Sequence, residues 1–349
     1  MNIVIAGSTG YAGQQLTSLL VNHPNIKKIY LGSSSQSSST YDAIYAHTKG
    51  IIFETLLDSD TLLTPSFLEA HQIDCCFLAL PHGMSSKYVP DIIDSGALVI
   101  DLGSDYRLED AENYVKWHGV HASPHLLDQG VYGLSEFYSD KLGGTKLIAN
   151  PGCYATATLL AMLPAIQAGL IKDPLIIVDA KSGISGAGRQ ASQAGLFAEA
   201  AENIRPYKTG DHQHIPEIEQ TLSQNQSSEV AFKVMFSPSV VPMTRGLLSA
   251  VYAKIDHTVD MAMLDSAYNA AYADKPFIRL LNQAPCTKNV RGSNYADIWY
   301  KIDHRTGTLI MMCAIDNLMK GAAGQAVQNM NLHFGFEETV GLGQMPLYP

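Results

Sequence analysis

Short, mostly apolar runs alternate with segments of helical periodicity over residues 1–150, and this alternation constrains the fold more than any other feature. The runs are NIVIA (2–6), KKIYLG (27–32), DCCFLAL (74–80), ALVIDLG (97–103) and KLIAN (146–150). Strands that are apolar on both faces and separated by helices form parallel sheets covered on both sides. The sequence therefore predicts an α/β fold, with a first domain over residues 1–149.

A different pattern follows residue 150. The segments EVAFKVMFSPSVV (229–241) and RGLLSAVYAKID (245–256) alternate apolar with polar residues, which predicts half-buried antiparallel strands. A length of 349 residues also favours two domains. We therefore expect residues 150–316 to form an α+β domain with a mostly antiparallel sheet.

The composition excludes several classes of protein. The net charge of −10 argues against a nucleic-acid or membrane-surface binder. Five cysteines without a CxxC spacing form neither a disulfide framework nor a zinc cluster, so we expect a reducing, cytoplasmic environment. The most apolar stretch, residues 155–171, holds two threonines, a glutamine and a proline and is too polar and too short for a membrane span. The low charged content of 16% favours a homo-oligomer, a dimer or a tetramer.

The motif GSTGYAG follows the first apolar run directly and opens a helical segment. Glycines at such a turn let the backbone approach a pyrophosphate, and the helix start offers free N–H groups. An ordinary glycine-rich turn is the alternative. The second run ends in serines, not in the acidic residue that binds the ribose 2′-hydroxyl of NAD, so NADP(H) is the favoured cofactor. The residues expected at the cofactor are Gly7, Ser8, Thr9, Gly10, Tyr11, Ala12, Gly13, Ser33 and Ser34.

Cys153 lies in NPGCYATA, where a Pro-Gly pair turns the chain before a long apolar helix. A cysteine in the first turn of a helix meets a dipole that favours the thiolate. Position alone leaves two interpretations open, a nucleophile and a small core residue. Of the other cysteines, Cys75, Cys76 and Cys313 lie in apolar strands and are assigned to the core, whereas Cys286 lies in a loop.

The motif HQHIPEIEQ offers His212 and His214 as candidate bases for a thiol nucleophile. A metal site is the competing hypothesis, because His-x-His on a strand places both imidazoles on one side. No third ligand is evident nearby, so we expect no metal. A second group, His118, His121 and His125, lies in a polar loop and is interpreted as solvated.

Three further segments carry groups suited to anions. DLGSDYRL places Ser104 and Arg107 just beyond a strand, where open α/β sheets bind ligands. SGISGAGR is a glycine-rich loop that can present backbone N–H groups to an anion or to a nicotinamide carboxamide. PMTRG adds Arg245 as a candidate for a substrate carboxylate. In the glycine-rich loop, the residues expected at the cofactor are Ser182, Gly183 and Gly186.

These groups together fit one reaction class. A thiolate adds to an aldehyde, a hydride leaves to NADP, and phosphate cleaves the resulting thioester to an acyl phosphate. The reverse direction reduces an acyl phosphate to an aldehyde and releases inorganic phosphate. A protein of another class, a dinucleotide-binding sensor with a structural cysteine, remains an alternative.

The chain also resembles the N-acetyl-γ-glutamyl-phosphate reductases, arginine-biosynthetic relatives of aspartate-semialdehyde dehydrogenase. The resemblance runs nearly end to end. It rests on GSTGYAG, FLALPHG, DLGSDYRL, YGLSE, NPGCYATA, SGISGAGR, HQHIPEIEQ, PMTRGLL and DNLMKGAAGQAVQNMN. It implies a Rossmann-type nucleotide domain and a catalytic and oligomerisation domain.

The resemblance also implies roles for individual residues. Cys153 corresponds to the nucleophile and His214 to the base, with His212 as the substitute candidate. Arg107 corresponds to a phosphate-binding arginine, and Asn317 to an asparagine near the nicotinamide. Residues 317–349 correspond to a segment that returns to the nucleotide domain. The substrate-binding set expected here is Ser104, Arg107, Asn150, Glu217 and Arg245.

The substrate implied by the resemblance is N-acetyl-γ-glutamyl phosphate, which yields N-acetyl-glutamate 5-semialdehyde. The alternative is the same chemistry on an N-blocked α-aminoadipyl phosphate of lysine biosynthesis. A carrier-bound substrate with an acidic tail would require a basic groove, and this acidic chain has no basic run.

Overall fold

A computed structural model describes residues 1–226 and 230–348. Glu229, the first residue of one predicted strand, and Pro349, the end of the predicted return segment, lie outside the described residues. The strands, in chain order, are β1 Asn2–Ala6, β2 Lys28–Leu31, β3 Cys75–Leu78, β4 Leu98–Asp101, β5 Val131–Tyr132, β6 Leu147–Ala149, β7 Ile171–Gly183, β8 Arg205–Pro206, β9 Lys233–Val241, β10 Leu247–Ile255, β11 Ile278–Leu280, β12 Ala296–Asp303 and β13 Thr308–Ile315.

The helices include a π-helical segment, Met319–Ala323, and several short 3₁₀ turns. The α-helices, in chain order, are α1 Tyr11–Leu20, α2 Tyr41–Ile44, α3 Ser59–Leu62, α4 Pro65–Ala70, α5 Ser85–Asp94, α6 Ala111–His118, α7 Ser135–Leu142, α8 Cys153–Gln167, α9 Phe197–Ala200, α10 His214–Asn225, α11 Met261–Tyr272 and α12 Gly324–His333.

Two compact units divide the chain. The first comprises Met1–Pro151 and Ala322–Gly343, and the second comprises Gly152–Gly321 and the residues from Gln344 onward. Asn150 therefore lies in the first unit and Asn317 in the second. The domain limits derived from the sequence stay a prediction.

The first unit is built on a six-stranded sheet in the order β2-β1-β3-β4-β6-β5. Every pairing in it is parallel. All four residues of β3 and all four of β4 are buried, as expected for strands covered on both faces. The predicted Rossmann-type architecture is confirmed. The edge strand β5 is an addition to the prediction, because two residues form no detectable apolar run.

The carboxyl ends of these parallel strands meet at one edge of the sheet, where ligands of open α/β sheets bind. Chain order reverses between β1 and β3, which makes that point the topological switch. The glycine motif follows β1 there, and the segment 101–107 begins at the end of β4. The fold thus collects the nucleotide motif and one anion motif at the same edge.

Helix α12 is fixed to the first unit by buried amide side chains. Asn329 Nδ2 donates to Gly133 O at 2.8 Å and to Asn150 Oδ1 at 3.1 Å. Gln325 Nε2 also donates to Gly133 O, at 2.8 Å. Buried polar groups require such partners, so these amides fix the register of α12 against the chain around Asn150.

The second unit is built on a seven-stranded sheet in the order β11-β12-β13-β10-β7-β9-β8. Its pairings are antiparallel except for β7 with β9 and β11 with β12. The prediction of a mostly antiparallel sheet is confirmed; β9 pairs antiparallel with β8 on one side, as predicted, and parallel with β7 on the other, which the alternation did not predict. The connection from β7 to β9 contains α10, and a crossover through a helix returns the chain in the same direction.

Helix α8 is buried on every side. All residues from Tyr154 to Ile166 are buried, and the helix packs against β10, β13, α10 and α11. An all-round apolar helix of this kind belongs to a protein core or to a membrane. Within residues 1–226 and 230–348, no helix has the length and apolarity needed to cross a membrane.

Candidate active site

The glycine motif forms a close turn between β1 and α1. Gly7 has φ +76°, a conformation that favours glycine, and a Cβ there would lie 2.3 Å from Ala79 O. A Cβ on Gly13 would lie 2.2 Å from Gly7 O. Gly10 caps α1 and leaves its first N–H groups without a side-chain cap. The turn therefore has the space and the donors that a dinucleotide pyrophosphate requires.

The other predicted cofactor residues of the first unit differ in exposure. Ser8 is fully buried, and its Oγ donates to Gly32 O at 3.0 Å. The hydroxyls of Thr9 and Ser33 lie 3.0 Å apart and join the glycine turn to the end of β2. Ser34 and Tyr11 are exposed, and Ala12 is half-buried. Of the two predicted serines, Ser34 is thus the one that is open to solvent, whereas Ser33 is buried.

Cys153 is the first residue of α8. Gly152, its N-cap, has extended backbone and no side-chain cap, so the thiol lies at an open helix start. The N–H of Gly152 donates to Glu217 Oε1 at 2.8 Å, and Glu217 is 2% exposed. A buried carboxylate on α10 therefore holds the residue before the cysteine. Cys153 itself is half-buried.

The two histidines of HQHIPEIEQ lie at the start of α10, not side by side on a strand, so the strand placement behind the metal hypothesis is wrong. His214 Nε2 lies 4.0 Å from Glu217 Oε2. The backbone N–H of His214 donates to His212 Nδ1 at 3.1 Å. Burial, and next the charge of His214, lowers the pKa of His212 to about 3. His212 is therefore neutral near pH 7 and acts as a hydrogen-bond acceptor.

Two tyrosines lie beside these histidines. Tyr207 Oη donates to Tyr154 Oη at 3.2 Å, and Tyr154 forms an edge-on ring contact with His212. Burial raises the pKa of Tyr207 to about 12 and also raises the pKa of Tyr154. Both phenols remain neutral and provide a wall for the histidine pair.

In the segment DLGSDYRL of the first unit, the side chain of Arg107 is held by hydrogen bonds to backbone carbonyl groups. Arg107 is 8% exposed, and its Nε donates to Asn150 O at 2.8 Å while Nη2 donates to Leu102 O at 3.0 Å. The Nδ2 of Asn150 donates to Ala322 O at 3.1 Å, and its Oδ1 accepts from Asn329. Asn150 is thus a structural residue that fixes the guanidinium of Arg107. The hydroxyl of Ser104 lies 2.6 Å from His82 Nδ1.

The glycine-rich loop after β7 pairs part of its backbone with residues 243–246. The N–H groups of Gly183 and Ser185 donate to carbonyls of Gly246 and Thr244, at 2.8 and 3.2 Å. These groups are therefore engaged within the second unit instead of facing an anion. A Cβ on Gly183 would lie 2.8 Å from Thr244 O, so this glycine permits the close approach. At Gly186, the nearest atom to an added Cβ would be Ser182 Oγ, at 3.0 Å.

Asn317 and Arg245 also serve the second unit internally. The Oδ1 of Asn317 accepts from the N–H of Gly246 at 2.8 Å, and its Nδ2 donates to Ser185 Oγ at 2.9 Å. Arg245 Nη1 lies 3.3 Å from Asp316 Oδ2, and that carboxylate is fully buried. The side chain of Arg245 is about a quarter exposed, so part of it reaches the surface.

The remaining cysteines behave as the sequence predicts. Cys75, Cys76 and Cys313 are buried and Cys286 is exposed, with no disulfide among these residues. Burial raises the pKa of both Cys75 and Cys76. Among the residues that the structure describes, no group of three or more His, Cys, Asp or Glu is placed to hold a metal ion.

Family models match both units. The model described as the NAD binding domain of semialdehyde dehydrogenase matches residues 2–145, and the model for its dimerisation domain matches residues 153–317. The chain belongs to the semialdehyde dehydrogenase family. The resemblance drawn from the sequence is thereby confirmed. The first model also gives the first unit a nicotinamide-dinucleotide cofactor.

Relatives within this family are similar in sequence to this chain over its whole length. N-acetyl-gamma-glutamyl-phosphate reductases of Geobacillus stearothermophilus and Shouchella clausii are each 44% identical to it, with 100% of both chains covered. Among solved structures, aspartate semialdehyde dehydrogenase II of Vibrio cholerae, complexed with ASA, has a TM-score of 0.72 at 17% identity. The superposition covers 95% of this chain and 97% of the Vibrio cholerae chain. This second likeness bears on the fold alone.

Sequence reasoning missed Gly321, which lies against the cysteine. A Cβ on Gly321 would lie 2.8 Å from Cys153 Cβ and 3.3 Å from its Cα. The segment Met319–Ala323 is π-helical, a local distortion often found at functional sites. The motif NLMKGAAGQ reads as an ordinary helix, so no signal in it pointed to this contact.

We predict that Gly321→Ala displaces Cys153, because the new methyl group has no room. In a Cys286→Ser background, alkylation of Cys153 by iodoacetamide should slow by about ten- to a hundredfold. Gly143→Ala is the matched control, since a Cβ there meets nothing within 4 Å. Alkylation of Gly321→Ala at the parent rate would show that the cysteine tolerates this contact.

Proposed function

We propose that the protein reduces N-acetyl-γ-glutamyl phosphate to N-acetyl-glutamate 5-semialdehyde, with NADPH as the reductant and inorganic phosphate as a product. The observation that carries the proposal is the connection of three groups of the second unit. Cys153 opens α8, Glu217 holds the N–H of Gly152, and His214 lies beside the same carboxylate. The names of the two 44% identical relatives, both N-acetyl-gamma-glutamyl-phosphate reductases, support the choice of substrate.

Cys153 acts as the nucleophile. Its thiolate attacks the acyl carbon, a C–S bond forms, and the C–O bond to the phosphoryl group breaks as phosphate leaves with the electron pair. The open helix start favours the negative charge of the thiolate before attack. When bound, the nicotinamide supplies the hydride that reduces the thioester.

His214 is the better of the two candidate bases. A general base needs a pKa near the working pH, and His212, with its pKa lowered to about 3, is neutral and remains so. The Nδ1 of His212 accepts the N–H of His214, which positions the second imidazole. His214 takes the thiol proton as the C–S bond forms. After reduction the C=O bond of the aldehyde re-forms, the C–S bond breaks with its electron pair going to sulfur, and His214 returns a proton to the Cys153 sulfur.

Glu217 is a positioning residue in this scheme, although the sequence placed it with the substrate. Its two carboxylate oxygens face different partners, the N–H of Gly152 and the imidazole of His214. On the substrate side, Ser104 and Arg107 are proposed to bind the phosphoryl group, and Arg245 the α-carboxylate. Asn150 supports Arg107 through its carbonyl oxygen.

The glycine turn and the serines after β2 are proposed to prefer NADP(H). Ser34 is exposed and no carboxylate stands at the positions 33–35, so nothing there repels a 2′-phosphate. One aspartate semialdehyde dehydrogenase of this fold, from Candida albicans, was solved with NADP; its TM-score is 0.65 at 18% identity. Asn317, Ser182 and Gly186 belong to the proposed nicotinamide side, where Asn317 orders the loop.

The subunits are proposed to associate through the face of the second sheet that lies opposite α8. Tyr252 of β10 lies opposite Ile177 of β7 and Ile310 of β13, and all three are half-buried. Met312 and Met235 continue this apolar surface. A contiguous apolar patch of this kind favours association, and the matched family model is a dimerisation domain. We propose a homodimer, or a tetramer built from such dimers.

We predict that Cys153→Ser abolishes phosphate-dependent NADP⁺ reduction with N-acetyl-glutamate semialdehyde, since an alcohol does not replace the thiolate. Turnover should fall by orders of magnitude while NADP⁺ affinity stays within about twofold. Cys286→Ser, at an exposed cysteine of the second unit, is the control and should turn over normally. Unchanged turnover in Cys153→Ser would leave the cysteine as a structural residue.

We predict that His214→Asn flattens the acid limb of the pH–rate profile and slows alkylation of Cys153, because the group that takes the thiol proton is gone. His212→Asn should retain the acid limb, since its carbonyl oxygen can still accept the N–H of His214. The reverse pattern, with the acid limb lost only in His212→Asn, would exchange the two roles.

We predict that kcat/KM with NADPH exceeds the value with NADH at least about tenfold, a difference of about 1.4 kcal/mol. Ser34→Asp should reduce this ratio, because a carboxylate repels the 2′-phosphate and can bind a free 2′-hydroxyl. Ser37→Asp adds the same charge at an exposed serine three positions later and is the control. Equal use of both cofactors by the parent protein would remove the serines from cofactor choice.

A further inference from the structure

His82 lies beside the proposed phosphate-binding segment at the sheet edge of the first unit. It comes from FLALPHG, in the turn after β3, and its side chain is 40% exposed. Its Nδ1 lies 2.6 Å from Ser104 Oγ and 3.3 Å from Asp105 Oδ1. Its Nε2 lies 3.1 Å from the carbonyl oxygen of His118.

These contacts fix which nitrogen of neutral His82 carries the proton. A carbonyl oxygen only accepts, so the proton must be on Nε2, facing His118 O. The Nδ1 of the neutral ring is then an acceptor, and Ser104 must donate its hydroxyl proton to it. In the imidazolium form Nδ1 donates instead, to Ser104 Oγ and to Asp105 Oδ1.

The charge of His82 therefore determines what Ser104 can offer. A serine hydroxyl has one proton, and an anion is bound only by donors. We propose that His82 is a positioning residue which, when protonated, frees the Ser104 hydroxyl to donate to the phosphoryl group or to inorganic phosphate. When His82 is neutral, that proton is used inside the protein and the bound anion loses one hydrogen bond.

The surroundings of His82 keep the imidazolium accessible. The hydrogen bond to Asp105 is the main cause that raises the pKa of His82, against the opposing effect of burial. Asp105 is anchored by the N–H groups of Gly83 and Ser86, at 2.8 and 3.0 Å, so its charge stays in place. From α6, the ring of His118 lies 4.7 Å from His82 and that of Tyr114 lies 6.1 Å away.

A second titrating group acts in the same direction. Asp101 is fully buried at the end of β4, and burial followed by the charge of Asp105 raises its pKa to about 6. Arg107 partly offsets this rise. Loss of the Asp101 proton above that pH adds negative charge near Arg107, which is the competing explanation for weaker anion binding at high pH. The test must therefore separate His82 from Asp101.

The test uses radiolabelled sulfate, a dianion whose charge is constant over the range studied, in equilibrium dialysis against the full chain. Saturating NADP⁺ occupies the glycine turn, so that sulfate reports on the other anion site. For the parent protein, the dissociation constant should rise about tenfold from pH 6 to pH 9. No change over this range would overturn the proposal.

His82→Asn supplies a donor that does not titrate. The amide nitrogen of the asparagine replaces Nδ1. The carboxylate of Asp105 accepts from this nitrogen and so orients the amide with its N–H groups toward Asp105 and Ser104 Oγ. Sulfate binding should be tight and nearly constant with pH, because Ser104 can always donate outward. If the dissociation constant of His82→Asn still rises tenfold from pH 6 to pH 9, the effect belongs to Asp101 and the proposal is overturned.

Ser104→Ala is the matched variant that removes the switched hydroxyl. It should bind sulfate weakly at every pH, and its dissociation constant should change at most about twofold between pH 6 and pH 9. A full tenfold change in that constant would also overturn the proposal. The inference rests on the proposed function for its anion. Dialysis does not depend on turnover. If the protein shows the expected sulfate profile but does not reduce the acyl phosphate, only the proposed function is refuted.

Discussion

The hydrogen bond from the N–H of Gly152 to Glu217 is the contact on which the rest of the site depends. It joins the start of α8, where Cys153 lies, to the first turn of α10, where His214 lies. Glu217 is 2% exposed, and its two carboxylate oxygens face the N–H of Gly152 and the imidazole of His214, the partners that a buried polar group requires. One buried carboxyl group thus links the positions of Cys153 and His214.

Many polar residues of the motifs form hydrogen bonds within the protein itself. Asn150 and Asn329 hold the guanidinium of Arg107 and α12 in place, and Asn317 joins the loop after β7 to the turn at Gly246. Such residues resemble ligand-binding groups in a sequence, since both kinds are polar and lie at strand ends. In the structure they are distinguished by where their amide hydrogen bonds go.

The sequence was sufficient for the parallel sheet and for α8, because apolar runs and a long apolar helix follow directly from burial. It did not predict the parallel pairing of β9 with β7, since alternation reports which face is buried but not which strand is the neighbour. Residue type and helix position were enough to propose Cys153 and the histidines as site residues. The contacts of Gly321 and His82 were not predicted, because they join residues that are distant in the chain.

The all-round burial of α8 has a mechanical consequence. A helix with a solvent-facing side can bend or unwind locally at small cost, whereas α8 has the sheet on one side and α10 and α11 on others. Any pivoting of its axis would open voids in a closely packed interior. The packing of α8 therefore fixes the position of the Cys153 side chain. The motions that admit substrate and release product must come from the loops around the helix.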